Sequence, residues 1–300
     1  MKIKKHIEVR YDEDNKNYIF TPFDTSKINK VTSRMFPILN NKNSFNGVGY
    51  AVLDRLGLLE FESIDIYYTI RGAIGEILAR QFVEKMYKEG LKVDIETVAF
   101  DSQISYDGGK TFYGNDNFKT NPKFGGVLDI AIKSPEAYRA VIEVKSKSLK
   151  DYEYIVVKKS PPEEEVEQGL MLAHLSRVDK LLMVYIFFDE LQEKTLRNYV
   201  YAIQNDTPQP TTEEIIEALN FKIEYFKICP LKYTVNHDEV QQRMDNAYEN
   251  LHRIAKGGGV ISKIHFKNEE IMYLNSVVPK EDLKEELSKA IIEDLPFWKR

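Results

Sequence analysis

Two short apolar segments separated by a turn constrain the fold of this chain more than any other feature. Residues 127–132 (VLDIAI) and 140–145 (AVIEVK) are rich in β-branched side chains and predict two neighbouring strands. Each segment carries ionised side chains inside an otherwise buried pattern: Asp129 in the first, and Glu143 and Lys145 in the second. Charges on strands of this kind need a physical reason, because burying an ion without a partner is costly.

The segments around this pair alternate between helical and strand patterns. Apolar residues at helical spacing, Ile70, Ile74, Ile77, Leu78 and Phe82, predict a helix over residues 63–90, which Gly90 ends. We further predict a strand at 92–100, a hairpin at 102–115 around Asp107-Gly108-Gly109, a helix at 160–176 and an apolar strand at 180–188. This order predicts an α/β fold with a central mixed β-sheet flanked by helices.

The two ends of the chain add further elements. A strand or hairpin is predicted within residues 1–20. Beyond the apolar strand, the sequence predicts strands at 198–204 and 222–231 around a helix at 211–220, a longer helix at 236–259 that glycines end, and a peripheral helix at 279–295.

Composition excludes several classes of protein. The 300 residues carry a formal net charge of −5, so no global positive field draws the chain to nucleic acid or to anionic lipid. Cys229 is the single cysteine, which excludes an intramolecular disulfide, a thiolate zinc site and a four-cysteine iron–sulfur cluster. No window approaches the roughly 18 apolar residues that a membrane span needs, and we expect a cytoplasmic protein.

The charged residues of the two strands suit a divalent cation. Side chains two apart in a strand share a face, so Glu143 and Lys145 project together, and Asp129 on the neighbouring strand can reach the same patch. Two carboxylates in a half-buried cluster repel unless a cation joins them, and Mg²⁺ or Mn²⁺ prefers oxygen ligands such as these and the Val144 carbonyl. Near the metal, the pKa of Lys145 is expected to fall, so that the amine can position or deprotonate a water.

Asp129 followed by Glu143-Val144-Lys145 resembles the motif of the PD-(D/E)xK nuclease superfamily, with Leu128 where that family has its proline. The resemblance implies a restriction-endonuclease-like core over about residues 65–205. Extra N-terminal elements at 20–64 and a C-terminal elaboration at 206–300 would complete a single domain, 1–300.

Two helical residues extend the resemblance to nucleases of the RecB type, which include phage lambda-like and YqaJ-type exonucleases. In those proteins a helix before the hairpin carries a glutamate that faces the metal, and Glu76 stands at the matching place. The helix after the lysine strand carries a glutamine that holds substrate or water, matched by Gln168. The family's Q-x-x-x-Y pattern is incomplete here because Leu172 replaces the tyrosine.

DNA contacts are predicted at three residues. Ser33 and Arg34 match a Ser/Arg loop that touches a DNA phosphate in lambda-type exonucleases, and Lys147 lies just beyond the predicted site. The following stretch continues with lysines and tyrosines: Lys150, Tyr152, Tyr154, Lys158 and Lys159. Such a mixture suits single-stranded or frayed DNA, and a solvated loop is an equal alternative.

The sequence thus predicts a Mg²⁺-dependent DNA nuclease, and the resemblance implies a 5′-3′ exonuclease of phage-type recombination. It also implies a ring-shaped homo-oligomer and a single-strand annealing protein as partner. Two alternatives stay open at this point: a restriction-type or structure-specific endonuclease on the same core, and a catalytically silent protein that binds DNA or a partner.

Overall fold

The fold is taken from a computed structural model, in which the chain forms two compact units. The structure describes residues 1–25, 30–60, 65–90, 96–99, 106–107, 110–111, 118, 120–133, 138–206 and 208–283. The first unit comprises residues 1–62, 120–124 and 242–300, and the second comprises 63–119 and 125–241. The single domain expected over 1–300 stays a prediction.

Eight α-helices occur within those described ranges. They are α1 (Phe36–Leu39), α2 (Val48–Arg55), α3 (Ile66–Gly90), α4 (Glu163–Leu175), α5 (Glu190–Ile203), α6 (Thr212–Ala218), α7 (His237–Ala255) and α8 (Asn268–Val277). Shorter 3-10 turns lie at Leu149–Asp151, Ile223–Tyr225, Lys263–His265 and Lys280–Asp282, and Glu153–Val157 forms one π-helical turn.

The same ranges contain twelve strands. They are β1 (Glu8–Asp12), β2 (Asn17–Thr21), β3 (Val31–Thr32), β4 (Glu96–Ala99), β5 (Tyr106–Asp107), β6 (Lys110–Thr111), β7 (Phe124–Gly125), β8 (Ile130–Lys133), β9 (Tyr138–Ser148), β10 (Lys180–Phe188), β11 (Lys227–Thr234) and β12 (Val260–Ser262).

The second unit is built on a five-stranded mixed sheet in the order β11-β10-β9-β8-β4. The central pair, β10 and β9, is parallel, and the other pairings are antiparallel. The two segments predicted around a turn are therefore confirmed as neighbouring strands, β8 and β9, although residues 134–137 between them lie outside the described residues. β5 and β6 pair as the predicted hairpin, whose Gly108 and Gly109 also lie outside.

Helices cover both faces of this sheet, which confirms the predicted α/β class. On one face, Ile74 and Leu78 of α3 and Leu196 of α5 join a core with alternate residues of β8, β9 and β10. On the other face, α4 lies so close that a side chain at Gly169 would contact Leu181. The apolar run of β10, buried from residue 181 to 188, is what two covered faces require.

The first unit contains a separate three-stranded antiparallel sheet in the order β1-β2-β12. β1 and β2 form the hairpin predicted for residues 1–20, and β12 pairs with β2 from the far end of the sequence. Tyr18 of β2 is fully buried, and its hydroxyl donates to the side chain of Asn275 in α8 at 2.6 Å.

Two predicted strands are corrected. A strand is expected at residues 198–204, but 198–203 belong to α5 and Gln204 follows its end. An Asp189–Gln192 capping box begins this helix. Leu196 and Val200 are buried at helical spacing, so packing against the core outweighs the strand preference of the residue types. The strand expected at 222–231 begins only at Lys227, after a 3-10 turn.

Other elements agree with the sequence where they are described. α6 and α7 lie within the predicted helices, and glycines follow α7. Of the predicted peripheral helix, a 3-10 turn at Lys280–Asp282 is described, and residues 284–300 lie outside the described residues. No helix in the described part of the chain is both long enough and apolar enough to cross a bilayer.

One buried carboxylate, Glu270 of α8, stabilises the start of two helices in the first unit. It accepts hydrogen bonds from the backbone N–H of Gly47, which precedes α2, at 3.1 Å and of Lys267, which precedes α8, at 2.7 Å. Burial raises the pKa of its carboxyl in spite of these bonds. Both helix starts therefore depend on a side chain that is only 4% exposed.

Glu270→Ala is expected to lower the free energy of unfolding by about 2–4 kcal/mol, because two buried N–H groups lose their acceptor. Glu269→Ala, at an exposed position of the same helical turn, is the matched control and should cost under about 0.5 kcal/mol. Urea unfolding followed by circular dichroism measures both, and equal losses would contradict the capping role.

Candidate active site

The predicted metal-binding carboxylates face each other across two strands. The register pairs Ile130 of β8 with Ile142 of β9, so that the next position outward sets Asp129 opposite Glu143. The Asp129 carboxylate accepts a hydrogen bond from the backbone N–H of Val144, between Oδ2 and N, at 2.8 Å. This bond orients the carboxylate, which lies one residue before the start of β8.

This arrangement concentrates negative charge. Burial, together with the charges of Glu143 and Glu76, raises the pKa of Asp129 well above its ordinary value. Glu143 is 1% exposed, and Glu76 on α3 lies within electrostatic range of Asp129. Of the three carboxylates predicted to surround a metal, Asp129 and Glu143 lie close together, and Glu76 is near enough to act on Asp129 through its charge.

Lys145 lies within the same cluster. Its Nζ donates to Glu143 Oε1 at 2.7 Å and to the Gln168 side-chain oxygen of α4 at 3.2 Å. Burial lowers the pKa of Lys145, but the charges of Glu143 and Asp129 outweigh it and the net direction is upward. Without a metal, these neighbours hold the side chain as an ammonium, which donates hydrogen bonds. The fall in pKa expected beside a bound metal stays a prediction.

The oxygen atoms of the cluster fit a hard divalent cation. Glu143 Oε2 is buried and receives no hydrogen bond from the described residues. The N–H of Val144 points toward Asp129, and in a strand the C=O of the same residue points to the same side. Two carboxylates, one carbonyl and the oxygens of water and phosphate form the kind of set that Mg²⁺ accepts.

The described residues do not form a complete metal cage by themselves. Among the described residues, no three histidine, cysteine, aspartate or glutamate side chains form a group suited to hold an ion. The oxygen atoms of Asp129, Glu143 and Val144 suit a cation such as Mg²⁺, which also takes ligands from water and phosphate.

The position of Glu76 depends on a close approach between α3 and β9. A Cβ atom placed on Gly75 would lie 1.9 Å from the Ser146 hydroxyl oxygen, which donates a hydrogen bond to the Arg71 carbonyl at 3.0 Å. Arg71 in turn donates to the Ser146 carbonyl at 3.1 Å. Gly75 is the glycine that this contact requires, whereas a Cβ atom at Gly72 would meet no atom within 4 Å.

Two interactions of Glu165, which sequence reasoning missed, hold α4 on the sheet. Lys147 Nζ lies 2.5 Å from Glu165 Oε1, and the Tyr185 hydroxyl donates to Glu165 Oε2 at 3.2 Å. Burial raises the pKa of Tyr185, which keeps its hydroxyl protonated as a donor. Because Glu165 lies one turn before Gln168, this link keeps Gln168 within reach of Lys145.

Known proteins that are similar to this chain are found among solved structures. No protein-family model matches the sequence, and no curated protein matches it. Among solved structures, the chain is similar to an alkaline exonuclease (LHK-Exo) from Laribacter hongkongensis, at 10% identity over 76% of this chain and 90% of that one, with a TM-score of 0.38. The same exonuclease in complex with dAMP gives 10% identity, the same share of this chain, 88% of that chain and a TM-score of 0.41.

A phage related exonuclease from Haemophilus somnus 129PT is also similar, at 12% identity over 76% of this chain and 96% of that one, with a TM-score of 0.43. At these values the likeness concerns the path of the chain and says nothing about the residues of the site. The chemistry proposed below therefore depends on this chain's own side chains.

The predicted DNA-binding residues have different surroundings. Lys147 is engaged with Glu165, as described above. Ser33 and Arg34 belong to the first unit, where Ser33 is 6% exposed and Arg34 is open to solvent. Contacts of these three residues with DNA stay predictions.

Gly75→Ala is expected to push α3 from β9, because the added methyl group overlaps Ser146. Overpacking of this kind costs about 1–3 kcal/mol of stability. If the site is catalytic, the shift of Glu76 lowers kcat/KM by up to about a hundredfold.

Gly72→Ala is the matched control for this substitution. No atom lies within 4 Å of a Cβ at Gly72, so this substitution should raise the free energy of unfolding by about 0.5–1 kcal/mol, because alanine has the higher helix propensity. Thermal unfolding of the two variants measures the contrast, and equal melting temperatures would contradict the close approach.

Proposed function

We propose that this protein is a metal-dependent deoxyribonuclease that hydrolyses phosphodiester bonds. The observation that carries the proposal is the meeting of Asp129, Glu143, Lys145 and Gln168 around one buried carboxylate oxygen that receives no hydrogen bond from the described part of the chain. Asp129 immediately precedes β8, Glu143 and Lys145 lie on β9, and Gln168 lies on α4. The match of these residues to the PD-(D/E)xK motif supports DNA as the substrate.

Asp129, Glu143 and the Val144 carbonyl would hold the cation, Mg²⁺ or Mn²⁺, and Glu76 would support the same shell. When bound, the cation would polarise a phosphoryl oxygen and neutralise the charge that develops on phosphorus. Lys145 and Gln168 would hold the attacking water, since an ammonium donates to its oxygen and an amide oxygen accepts from it. The water oxygen bonds to phosphorus as the P–O3′ bond breaks. The water releases a proton to solvent and O3′ takes one from solvent, which leaves a 5′-phosphate and a 3′-hydroxyl.

Lys145→Ala is expected to lower Mg²⁺-dependent cleavage of linear duplex DNA by about 10²–10⁴-fold, because the attacking water loses its donor. DNA binding and the fold should be retained. Lys232→Ala removes an exposed strand lysine of β11 and is the matched control, which should cleave as the wild type does. The release of acid-soluble nucleotides measures the activity.

A metal-binding measurement separates the roles of the site residues. In calorimetry with Mn²⁺, Asp129→Asn should lose binding, whereas Lys145→Ala should retain it, because the carboxylates and not the lysine hold the ion. Cleavage by purified Lys145→Ala at the wild-type rate would contradict the proposed mechanism.

The finer parts of the proposal follow from the resemblance to lambda-type exonucleases. They are degradation of duplex DNA from 5′ to 3′, a role in phage recombination, a ring-shaped homo-oligomer around the duplex, and a single-strand annealing protein as partner. Light scattering would determine the number of subunits.

Linear DNA is expected to be degraded and covalently closed circular plasmid to be left intact, because an exonuclease needs a free end. A duplex labelled at one 5′ end should release the label at once, whereas a 3′ label should be released late. Cutting of the circular plasmid would instead favour the endonuclease alternative.

A further inference from the structure

The chain leaves the candidate site through a segment of unusual form. β9 ends at Ser148, three residues beyond Lys145, and residues 149–159 continue as a 3-10 turn followed by the π-helical turn Glu153–Val157. Isolated π-helical turns are rare, and those that occur lie frequently at functional sites. Three residues of extended strand span about 10 Å, so the 149–159 segment begins close to the catalytic cluster.

This segment exposes apolar side chains. Ile155 is buried and anchors it, whereas Tyr154 is 55% exposed and Val157 is 64% exposed. Tyr152 differs from Tyr154, because Lys227 Nζ lies 3.4 Å from its ring centroid and the ring packs edge-on against Phe187. Tyr154 is therefore the tyrosine of the segment that offers a face to solvent.

The same segment carries an excess of positive charge. Residues 149–159 contain three lysines and two acidic residues, and the side chains of Lys150, Lys158 and Lys159 are exposed. Lys158 lies 3.4 Å from Glu153, in a weak surface pair. Lys159 has a positive φ of 51°, a conformation that costs a non-glycine residue of order 1–2 kcal/mol. Strain of this kind is frequent at binding sites.

We propose that the 149–159 segment binds the single-stranded part of the DNA substrate, with an unpaired base stacked on Tyr154 and phosphates held by Lys150 and Lys159. The proposal rests on the proposed nuclease function. An exposed aromatic ring with lysines before and after it in the sequence is suited to bind a single strand, whose bases offer their faces for stacking. In duplex DNA those faces are covered by neighbouring bases.

Tyr154→Ser is expected to weaken binding of a fluorescein-labelled oligothymidylate by roughly five- to a hundredfold, because the ring on which a base would stack is removed. Anisotropy titrations in EDTA measure binding by the full chain without cleavage. Tyr225→Ser is the matched control, since Tyr225 is 54% exposed with a lysine ammonium 6.0 Å from its ring, and it should bind as the wild type does.

A second variant tests the charges. Replacing Lys150 and Lys159 with Gln should reduce the slope of log K against log salt by about 1.4, which is about 0.7 for each phosphate that a lysine no longer neutralises. Circular dichroism of both variants should match that of the wild type, because the substituted side chains are exposed.

The outcomes separate the two proposals. If the wild-type protein cleaves DNA with Mg²⁺ but Tyr154→Ser and Tyr225→Ser bind the oligonucleotide equally well, the segment is not a single-strand site and this inference fails alone. It also fails if Tyr154→Ser weakens only the binding of another protein. If no purified form of the chain cleaves DNA with Mg²⁺ or Mn²⁺, the nuclease function itself fails.

Discussion

The arrangement of the site depends on the repulsion between two carboxylates, Asp129 just before β8 and Glu143 on β9. Directly opposed like charges destabilise a sheet, and burial increases the cost. The backbone N–H of Val144 and the ammonium of Lys145 offset part of it, and Gln168 holds the ammonium from α4. One oxygen of Glu143 keeps no hydrogen bond within the described residues. A site with this remaining charge is suited to attract a cation.

The parts of the fold and site that follow from local patterns could be predicted from the sequence. Asp129 lies immediately before β8, and Glu143 and Lys145 lie on β9, so the alternation of side chains and a short turn suffice to bring them together. The fully apolar β10 indicated a strand covered on both faces. Glu76 and Gln168 required knowledge of a family pattern, because the helices that carry them could pack on the sheet in several ways.

Contacts between distant elements could not be predicted. Gly75 is important because of its distance from Ser146, and Glu165 because it reaches both Lys147 and Tyr185; no local pattern signals either. The wrong prediction of a strand at 198–204 has a similar cause. Tyr199, Val200 and Tyr201 are residue types that favour strands, and only the packing shows that Leu196 and Val200 share a buried helical face. A capping pattern at Asp189 and Gln192 was the signal that could have corrected it.

The pairing of β12 with β2 has a consequence for how the first unit is made on the ribosome. Strand β2 ends at Thr21, and its partner begins only at Val260. At translation rates of about 5–20 residues per second, roughly 10–50 s separate the emergence of the two strands. The N-terminal hairpin must wait for that time with one edge uncovered, exposed to chaperones and to the nascent chains of neighbouring ribosomes.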